Sequence, residues 1–85
     1  MTIKVFSRPA AECVKCRATE ISLRRKGIDV EKIMLNEDAE AVEFVKSLGH
    51  TTAPVVVVER DGVVVDHWSD FREDKIAALK ELAVA

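Results

Sequence analysis

Residues 2–27 read TIKVFSRPAAECVKCRATEISLRRKG, and this stretch decides the fold. The alternation of polar and apolar residues over Thr2 to Phe6 predicts a β-strand. Residues 13–26 predict a helix, which Gly27 ends. The side chains expected on its buried face follow the i, i+4, i+7 spacing: Val14, Ala18 and Ile21. A strand that runs through a loop into a helix is typical of the start of a β-α-β unit.

The middle of the chain continues the alternation of strands and helices. Residues 28–35 predict a second strand, and Asn36 and Asp38 after it provide turn and cap chemistry. A second helix then ends at Gly49. Its apolar side chains recur at i, i+3, i+4 and i+7: Ala41, Phe44, Val45 and Leu48. Four consecutive valines at residues 55–58 indicate a strand that is covered on both faces.

The last third of the chain predicts a hairpin and a closing helix. Asp61-Gly62 is a strong two-residue hairpin signal, so residues 63–65 should return as an antiparallel strand. The final helix, over residues 73–83, is expected to bury three side chains: Ile76, Leu79 and Ala83. The order β-α-β-α-β-β-α predicts one α/β domain over residues 1–85, a four-stranded mixed sheet flanked by three helices. Its first two strands should be parallel and joined by a right-handed crossover.

Composition excludes several classes of function. The 85 residues carry 13 basic and 15 acidic side chains, which are interspersed, so no basic stripe indicates nucleic-acid binding. The longest aliphatic run, Val55 to Val58, is too short to span a bilayer. No apolar segment resembling a secretory signal follows Met1. We therefore expect a cytoplasmic monomer without nucleic-acid or membrane partners.

Cys13 and Cys16 are the candidate catalytic residues. They are the only cysteines, and a disulfide across so short a loop adds little as a structural brace. Cys13 stands at the first turn of the predicted helix, where backbone N–H groups and the helix dipole favour the thiolate. Cys16 lies one turn further on, within bridging reach. We expect Cys13 to attack a target disulfide and Cys16 to resolve the mixed disulfide. Lys15 adds a positive charge nearby, and Glu12 opposes it.

Two other interpretations of the cysteine pair stay open. A CxxC pair can be half of a structural zinc site, but such a site needs two more ligands. Only His50 and His67 are available, and both are isolated in the sequence. Alternatively, both cysteines are inert core residues. Redox chemistry is favoured because the pair follows a strand and begins a helix; no metal ligand is predicted.

The chain resembles the NrdH-redoxin family, glutaredoxin-like proteins of the thioredoxin fold that supply electrons to class Ib ribonucleotide reductase. The resemblance covers nearly the whole chain. It rests on Cys13-Val14-Lys15-Cys16-Arg17-Ala18-Thr19, Lys26-Gly27-Ile28, Leu48-Gly49, Ala53-Pro54-Val55-Val56-Val57 and His67-Trp68-Ser69-Asp70-Phe71-Arg72. The last block is the specific part, because all thioredoxin-fold redoxins share the other two signatures, CxxC and the cis-proline.

The resemblance implies a thioredoxin/glutaredoxin-like fold and dithiol–disulfide oxidoreductase activity. Pro54, which by itself predicts only the start of a strand, would be a cis-proline facing the cysteine pair. The backbone of Ala53 would pair with an extended substrate segment. The predicted partner-binding residues are Val14, Lys15, Ala53, Pro54, Trp68, Phe71 and Arg72. The resemblance also implies that thioredoxin reductase recharges the Cys13–Cys16 disulfide with electrons from NADPH, and no other cofactor is expected.

Alternatives to these assignments remain. Trp68 and Phe71 are equally expected as core aromatics of the last turn, and Lys15 and Arg72 as solvated surface residues. A glutaredoxin or mycoredoxin that reduces mixed disulfides with a low-molecular-weight thiol would use the same cysteines, although the block around Trp68 argues against it. A non-enzymatic thiol-binding or zinc-binding module is the third candidate.

The sequence departs from the family pattern in four places. The loop between Pro9 and Cys13 is enlarged, and the segment of residues 59–66 is also longer than in typical members of the family. Asp70 stands where the family has glycine, which is tolerable at a positive φ although costlier. Glu73 replaces a proline near the start of the last helix. These changes bear on partner specificity more than on the fold.

Overall fold

The structure is a computed structural model that describes the backbone of residues 1–84 and the side chains of residues 1–81. Its elements are β1 (Thr2–Ser7), α1 (Val14–Arg25), β2 (Glu31–Met34), a 3₁₀ turn (Leu35–Glu37), α2 (Ala39–Ser47), β3 (Val55–Arg60), β4 (Val63–Ser69) and α3 (Glu73–Val84). The predicted order of elements is confirmed. The predicted burial of Ala83 lies outside the described side chains. Within residues 1–84, no helix combines the length and apolar character needed to cross a membrane.

The four strands form one mixed sheet in the order β2-β1-β3-β4. β1 pairs parallel with β2 and antiparallel with β3, and β3 pairs antiparallel with β4. Asp61 and Gly62 have φ values of 53° and 78°, as a two-residue turn between right-twisted strands requires. Both the parallel first pair and the antiparallel hairpin were predicted correctly.

Each face of the sheet packs against helices. On one face, α1 and α3 cover a cluster made of Ile3, Val5, Leu23, Ile28, Val56, Val58, Trp68, Ile76 and Leu79. On the other face, α2 covers a cluster made of Phe6, Ala41, Val45, Val55 and Val57. Alternate valines of β3 thus enter different clusters, and all four are at most 2% exposed. This confirms the prediction of a strand covered on both faces.

The buried face of α1 differs from the predicted one. Val14 is 82% exposed, and Ala18 and Ile21 are only half-buried. The side chains that face the sheet follow the i, i+3, i+7 spacing instead: Cys16, Thr19 and Leu23. Hydrophobicity alone selects the wrong stripe here, because a cysteine and a threonine occupy two of the buried positions.

Two strand lengths also differ from the prediction. β2 covers only Glu31–Met34, although Ile28 is buried and Val30 packs against the same cluster. These apolar residues of the α1–β2 connection therefore fill the core without joining the sheet. β4 extends to Ser69 rather than ending at Val65, because it stays paired with β3 as far as Val55. The extension brings the end of β4 to the start of β3.

Candidate active site

Cys13 and Cys16 lie at the N-terminus of α1, as predicted. Cys13 is the N-cap, with extended backbone angles (φ −142°, ψ 94°), and its sulfur accepts a hydrogen bond from the N–H of Cys16 at 3.1 Å. The two residues form a disulfide with their Cα atoms 5.2 Å apart. Cys16 is fully buried, whereas Cys13 is partly exposed. An attacking sulfur must reach its target, so this difference supports Cys13 as the nucleophile.

Each of the two sulfurs accepts a hydrogen bond from one backbone N–H group. Besides the cap at Cys13, the N–H of Arg8 donates to the sulfur of Cys16 at 3.4 Å. Hydrogen bonds from N–H groups stabilise a sulfur most when it carries negative charge. These two donors, one in α1 and one in the loop before it, are therefore placed to stabilise negative charge on the sulfurs.

The loop before β3 faces the cysteine pair. The Ala53–Pro54 peptide bond is cis, as the family resemblance implies. The carbonyl oxygen of Ala53 lies 3.9 Å from the sulfur of Cys13. Pro54 is buried and immediately precedes β3. Residues 40 positions apart in the sequence thus meet at the reactive sulfur.

Asp70 connects the late sequence block to this site. Its φ is 76°, so the position does require the left-handed conformation that glycine adopts most easily. The N–H of Asp70 donates to the carbonyl of Pro54 at 3.0 Å. Its Oδ1 accepts from the N–H of Phe71 at 2.7 Å and lies 3.0 Å from the ammonium of Lys15. The hydrogen bond from Lys15, and then that from Phe71, hold the pKa of Asp70 below its usual value.

The three predicted partner-binding residues of the late block have different surroundings. Trp68 is 4% exposed and packs in the core, as the alternative of a core aromatic predicts, and its role in partner binding stays a prediction. Phe71 is 37% exposed and stays available for contact. The guanidinium of Arg72 donates to the carboxylate of Asp74 from Nε at 3.0 Å and Nη2 at 2.8 Å. This pairing lowers the pKa of Asp74 to about 2.

The other departures from the family pattern form ordered structure. Glu73 accepts hydrogen bonds from the hydroxyl of Ser22 at 2.9 Å and from the ammonium of Lys26 at 2.6 Å. It therefore links the start of α3 to α1. In the enlarged loop, the N–H of Glu12 donates to the carbonyl of Pro9 at 2.8 Å. The added residues make a turn directly before Cys13.

His50 and His67 form a pair that the sequence analysis missed. Their Nε2 and Nδ1 atoms lie 2.7 Å apart, and their rings meet edge to face. Burial, and then the charge of His67, lower the pKa of His50. The two histidines are isolated in the sequence, but the pairing of β4 with β3 brings His67 beside His50 in the loop that follows α2. Across residues 1–84, no three or more His, Cys, Asp or Glu side chains are grouped to hold a metal ion.

A groove of about 460 Å³ opens beside Cys13. Ala53 and Lys15 line it near the sulfur, and it continues past His50 to α2. The predicted residues Cys13, Lys15 and Ala53 are thus brought together on one wall. Arg72 is not among the lining residues, and Phe71 lines a second, separate groove on α1.

Comparison with known proteins identifies the family. Residues 3–65 match the Glutaredoxin family model. The chain is 33% identical to the glutaredoxin-like protein NrdH of Escherichia coli strain K12 over 79 residues, which are 93% of this chain and 89% of the relative. The chain belongs to the NrdH-redoxin family. The solved structure of the E. coli NrdH-redoxin matches 93% of this chain and 95% of its own with a TM-score of 0.82 and 33% identity. A glutaredoxin from Archaeoglobus fulgidus matches 98% of this chain and 86% of its own, with a TM-score of 0.71 and 28% identity.

This NrdH-redoxin is a disulfide oxidoreductase that carries its redox centre on Cys13 and Cys16. The exposure of the two sulfurs supports an exchange in which the partly exposed sulfur of Cys13 attacks one sulfur of a target disulfide and displaces the other as a thiolate. The buried sulfur of Cys16 then attacks Cys13, which breaks the mixed disulfide and releases the reduced target. Two electrons pass to the target, and the Cys13–Cys16 disulfide described above is the oxidised product.

Proposed function

We propose that this redoxin donates electrons to class Ib ribonucleotide reductase in the cytoplasm and is recharged by thioredoxin reductase with electrons from NADPH. The observation that carries the proposal is the likeness to NrdH, which extends over 93% of the chain. The E. coli NrdH-redoxin is described as a glutaredoxin-like protein with a thioredoxin-like activity profile. A thioredoxin-like profile favours a protein reductase as the source of electrons.

The placement of the late block supports the same proposal. Asp70 attaches this block to the cis-proline loop through its bond to Pro54 and to the CxxC motif through Lys15. Phe71, next in the chain, is partly exposed. The connection of this block to the two motifs at Cys13 supports a role for it in the contact with a partner protein.

The test compares two sources of electrons. The oxidised protein is supplied with NADPH and thioredoxin reductase or, separately, with NADPH, glutathione and glutathione reductase, and NADPH consumption is followed with an excess of a disulfide substrate. We expect turnover with thioredoxin reductase and little with glutathione. The Cys13→Ser variant is the control for consumption that does not pass through the redox centre. Turnover with glutathione alone would contradict the proposal.

The electron acceptor needs a second measurement. Class Ib ribonucleotide reductase is supplied with the redoxin, thioredoxin reductase and NADPH, and deoxyribonucleotide formation is measured. Product formation that requires both cysteines supports the proposal. Its absence, in a preparation that works with a chemical dithiol, would show that this redoxin serves other targets.

A glutaredoxin-type activity is the second candidate. The basic side chains Arg8 and Lys46 line the groove beside Cys13, and the carboxylates of a small thiol such as glutathione carry the complementary charge. The same comparison of electron sources separates the two candidates.

A further inference from the structure

The groove beside Cys13 has a charge opposite to that of the whole protein. The chain has a net charge of −2. Nevertheless, three basic side chains and no carboxylate line the groove: Arg8, Lys15 and Lys46. A concave wall of one sign attracts ligands of the other sign and orients them. The groove is therefore complementary to an acidic group.

Lys46 is the basic residue best placed to meet such a group. The ammonium of Lys15 is paired with Asp70, and the guanidinium of Arg8 lies 3.9 Å from the carboxylate of Glu12. Lys46 has no ion-pair partner among residues 1–81. It is exposed, in the last turn of α2. Its charge is thus available to a ligand.

The floor of the same groove is apolar. Leu35, Val42 and Val45 contribute to the lining, and Val45 is almost fully buried. Apolar surface in a groove gains free energy when another apolar group covers it. A ligand that satisfies both parts of the groove must carry an apolar side chain as well as a carboxylate.

The end of the groove nearest the sulfur offers a backbone group. Ala53 lines the groove, and its N–H makes none of the backbone hydrogen bonds found in residues 1–84. Its carbonyl oxygen lies beside Cys13. An unpaired backbone next to a strand is suited to an extended polypeptide, which can add its own backbone hydrogen bonds there.

We propose that this groove selects protein substrates in which an extended segment beside the reacting cysteine carries one apolar and one acidic side chain. The apolar side chain covers Leu35, Val42 and Val45, and the carboxylate pairs with Lys46. The inference rests on the proposed reduction of protein disulfides and adds the local sequence that the substrate requires. Glutathione offers carboxylates, but it has no apolar side chain for the floor.

The test uses short peptides that contain an internal disulfide flanked by leucine and glutamate. Matched peptides replace the glutamate with glutamine or lysine, or the leucine with serine. Each is mixed with pre-reduced redoxin from which the reductant has been removed, and the rate of peptide reduction is measured after acid quenching. No reductase is present, so the result does not depend on the electron source. Exposed ion pairs contribute up to about 1 kcal/mol, so we expect the glutamate peptide to react up to about five-fold faster than the glutamine peptide.

Two charge-reversal variants test whether Lys46 causes the preference for the glutamate peptide. Lys46→Glu should reverse the order, so that the lysine peptide reacts fastest. Lys80→Glu, an exposed residue of α3 that is not among the lining residues, should leave the order unchanged. High salt should reduce the preference of the unmodified protein, because it screens exposed charges. Circular dichroism of both variants establishes that they are folded.

The outcomes separate this inference from the proposed function. If the unmodified protein reduces all the peptides at one rate, peptide-disulfide reduction stands and the groove inference is wrong. If it reduces none of them, the proposed reduction of protein disulfides itself fails. If Lys46→Glu retains the preference for glutamate, Lys46 is not the recognition residue. Faster reduction of a glutathione mixed disulfide than of every peptide would identify the small thiol as the occupant.

Discussion

The ammonium of Lys15 lies 3.0 Å from the carboxylate of Asp70. Lys15 stands between the two reactive cysteines, and Asp70 occupies the position where the family has glycine. The backbone of Asp70 fixes the direction of its carboxylate, because its φ is positive and its N–H donates to the carbonyl of Pro54. Asp70 thus connects the late sequence block to the CxxC motif through its side chain and to the cis-proline loop through its backbone N–H. It also neutralises the cation nearest to the nucleophile in the sequence.

We expect Asp70→Asn to make Cys13 more reactive. Asparagine tolerates the positive φ, so the backbone is retained, but Lys15 loses its counter-charge and stabilises the thiolate of Cys13. The ion pair is exposed, so the increase in reactivity should be about two- to five-fold. The measurement is the rate of alkylation of Cys13 in the reduced Cys16→Ser background, at several pH values.

Two further variants test the cause. Lys15→Gln leaves the carboxylate of Asp70 alone near the thiolate and should slow alkylation. Asp61→Asn is the matched control, because Asp61 also has a positive φ but lies in the hairpin turn between β3 and β4. An equal effect of Asp61→Asn and Asp70→Asn would show that the change is not local to the active site.

We expect the two cysteines of the reduced protein to differ in reactivity by about ten-fold or more, with Cys13 the faster. Cys16 is fully buried, whereas Cys13 is partly exposed. A brief pulse of iodoacetamide followed by peptide mass spectrometry measures the ratio. Cys16→Ser should also accumulate a mixed disulfide between Cys13 and a target. Preferential alkylation of Cys16 would reverse the roles assigned here.

The histidine pair should make stability depend on pH. The pKa of His50 is lowered in the folded protein, so the unfolded chain binds more protons as the pH falls through about 6.5. Stability should therefore decrease between about pH 7 and pH 5, and His50→Gln should reduce this dependence. Thermal unfolding at the two pH values measures it.

His67→Gln serves as the comparison for His50→Gln. It removes the repulsion by His67 but leaves the burial of His50, which is the larger cause of the lowered pKa. An intermediate pH dependence is expected. Identical pH dependence in the unmodified protein and in His50→Gln would show that other groups control acid stability in this range.

Trp68 should contribute to stability rather than to contact with partners. Its indole N–H has no hydrogen-bond partner among the described residues, so Trp68→Phe loses only packing. We expect that variant to cost about 1–2 kcal/mol, because the smaller ring leaves part of the buried space empty, and to retain activity. Trp68→Ala leaves a large cavity and should cost about 3–5 kcal/mol. Chemical unfolding and the reductase assay measure the two effects. A stable Trp68→Phe protein with at least about ten-fold lower activity would contradict this expectation and support the partner-binding role.

The predictions that succeeded rest on short-range patterns. The cap position of Cys13, the turn at Asp61-Gly62 and the buried valines of β3 all follow from residues that are neighbours in the chain. The parallel and antiparallel pairings follow from connection length and handedness. The cis conformation before Pro54 was predicted only through the family resemblance, because most bonds that precede proline are trans.

The predictions that failed concern orientation and distant contacts. The exposure of Val14 depends on how α1 is rotated against the sheet. Hydrophobicity does not identify the buried face of α1, because polar residues such as Thr19 and Ser22 lie on it. The start of β2 depends on where its pairing with β1 begins, which is at Glu31. The sequence left Trp68 between a core and a docking role, and its burial depends on the packing of α3 over the end of β4.

The sequence by itself determined the chemistry at Cys13 and Cys16, since a dithiol at the start of a helix needs only neighbouring residues and the helix terminus. The tertiary structure alone decided what surrounds that chemistry. It paired Lys15 with Asp70 and His50 with His67, and it opened the basic groove beside Cys13. These contacts join residues far apart in the chain, and their distances depend on strand register and helix rotation. Those are set by packing of the whole core rather than by any one segment.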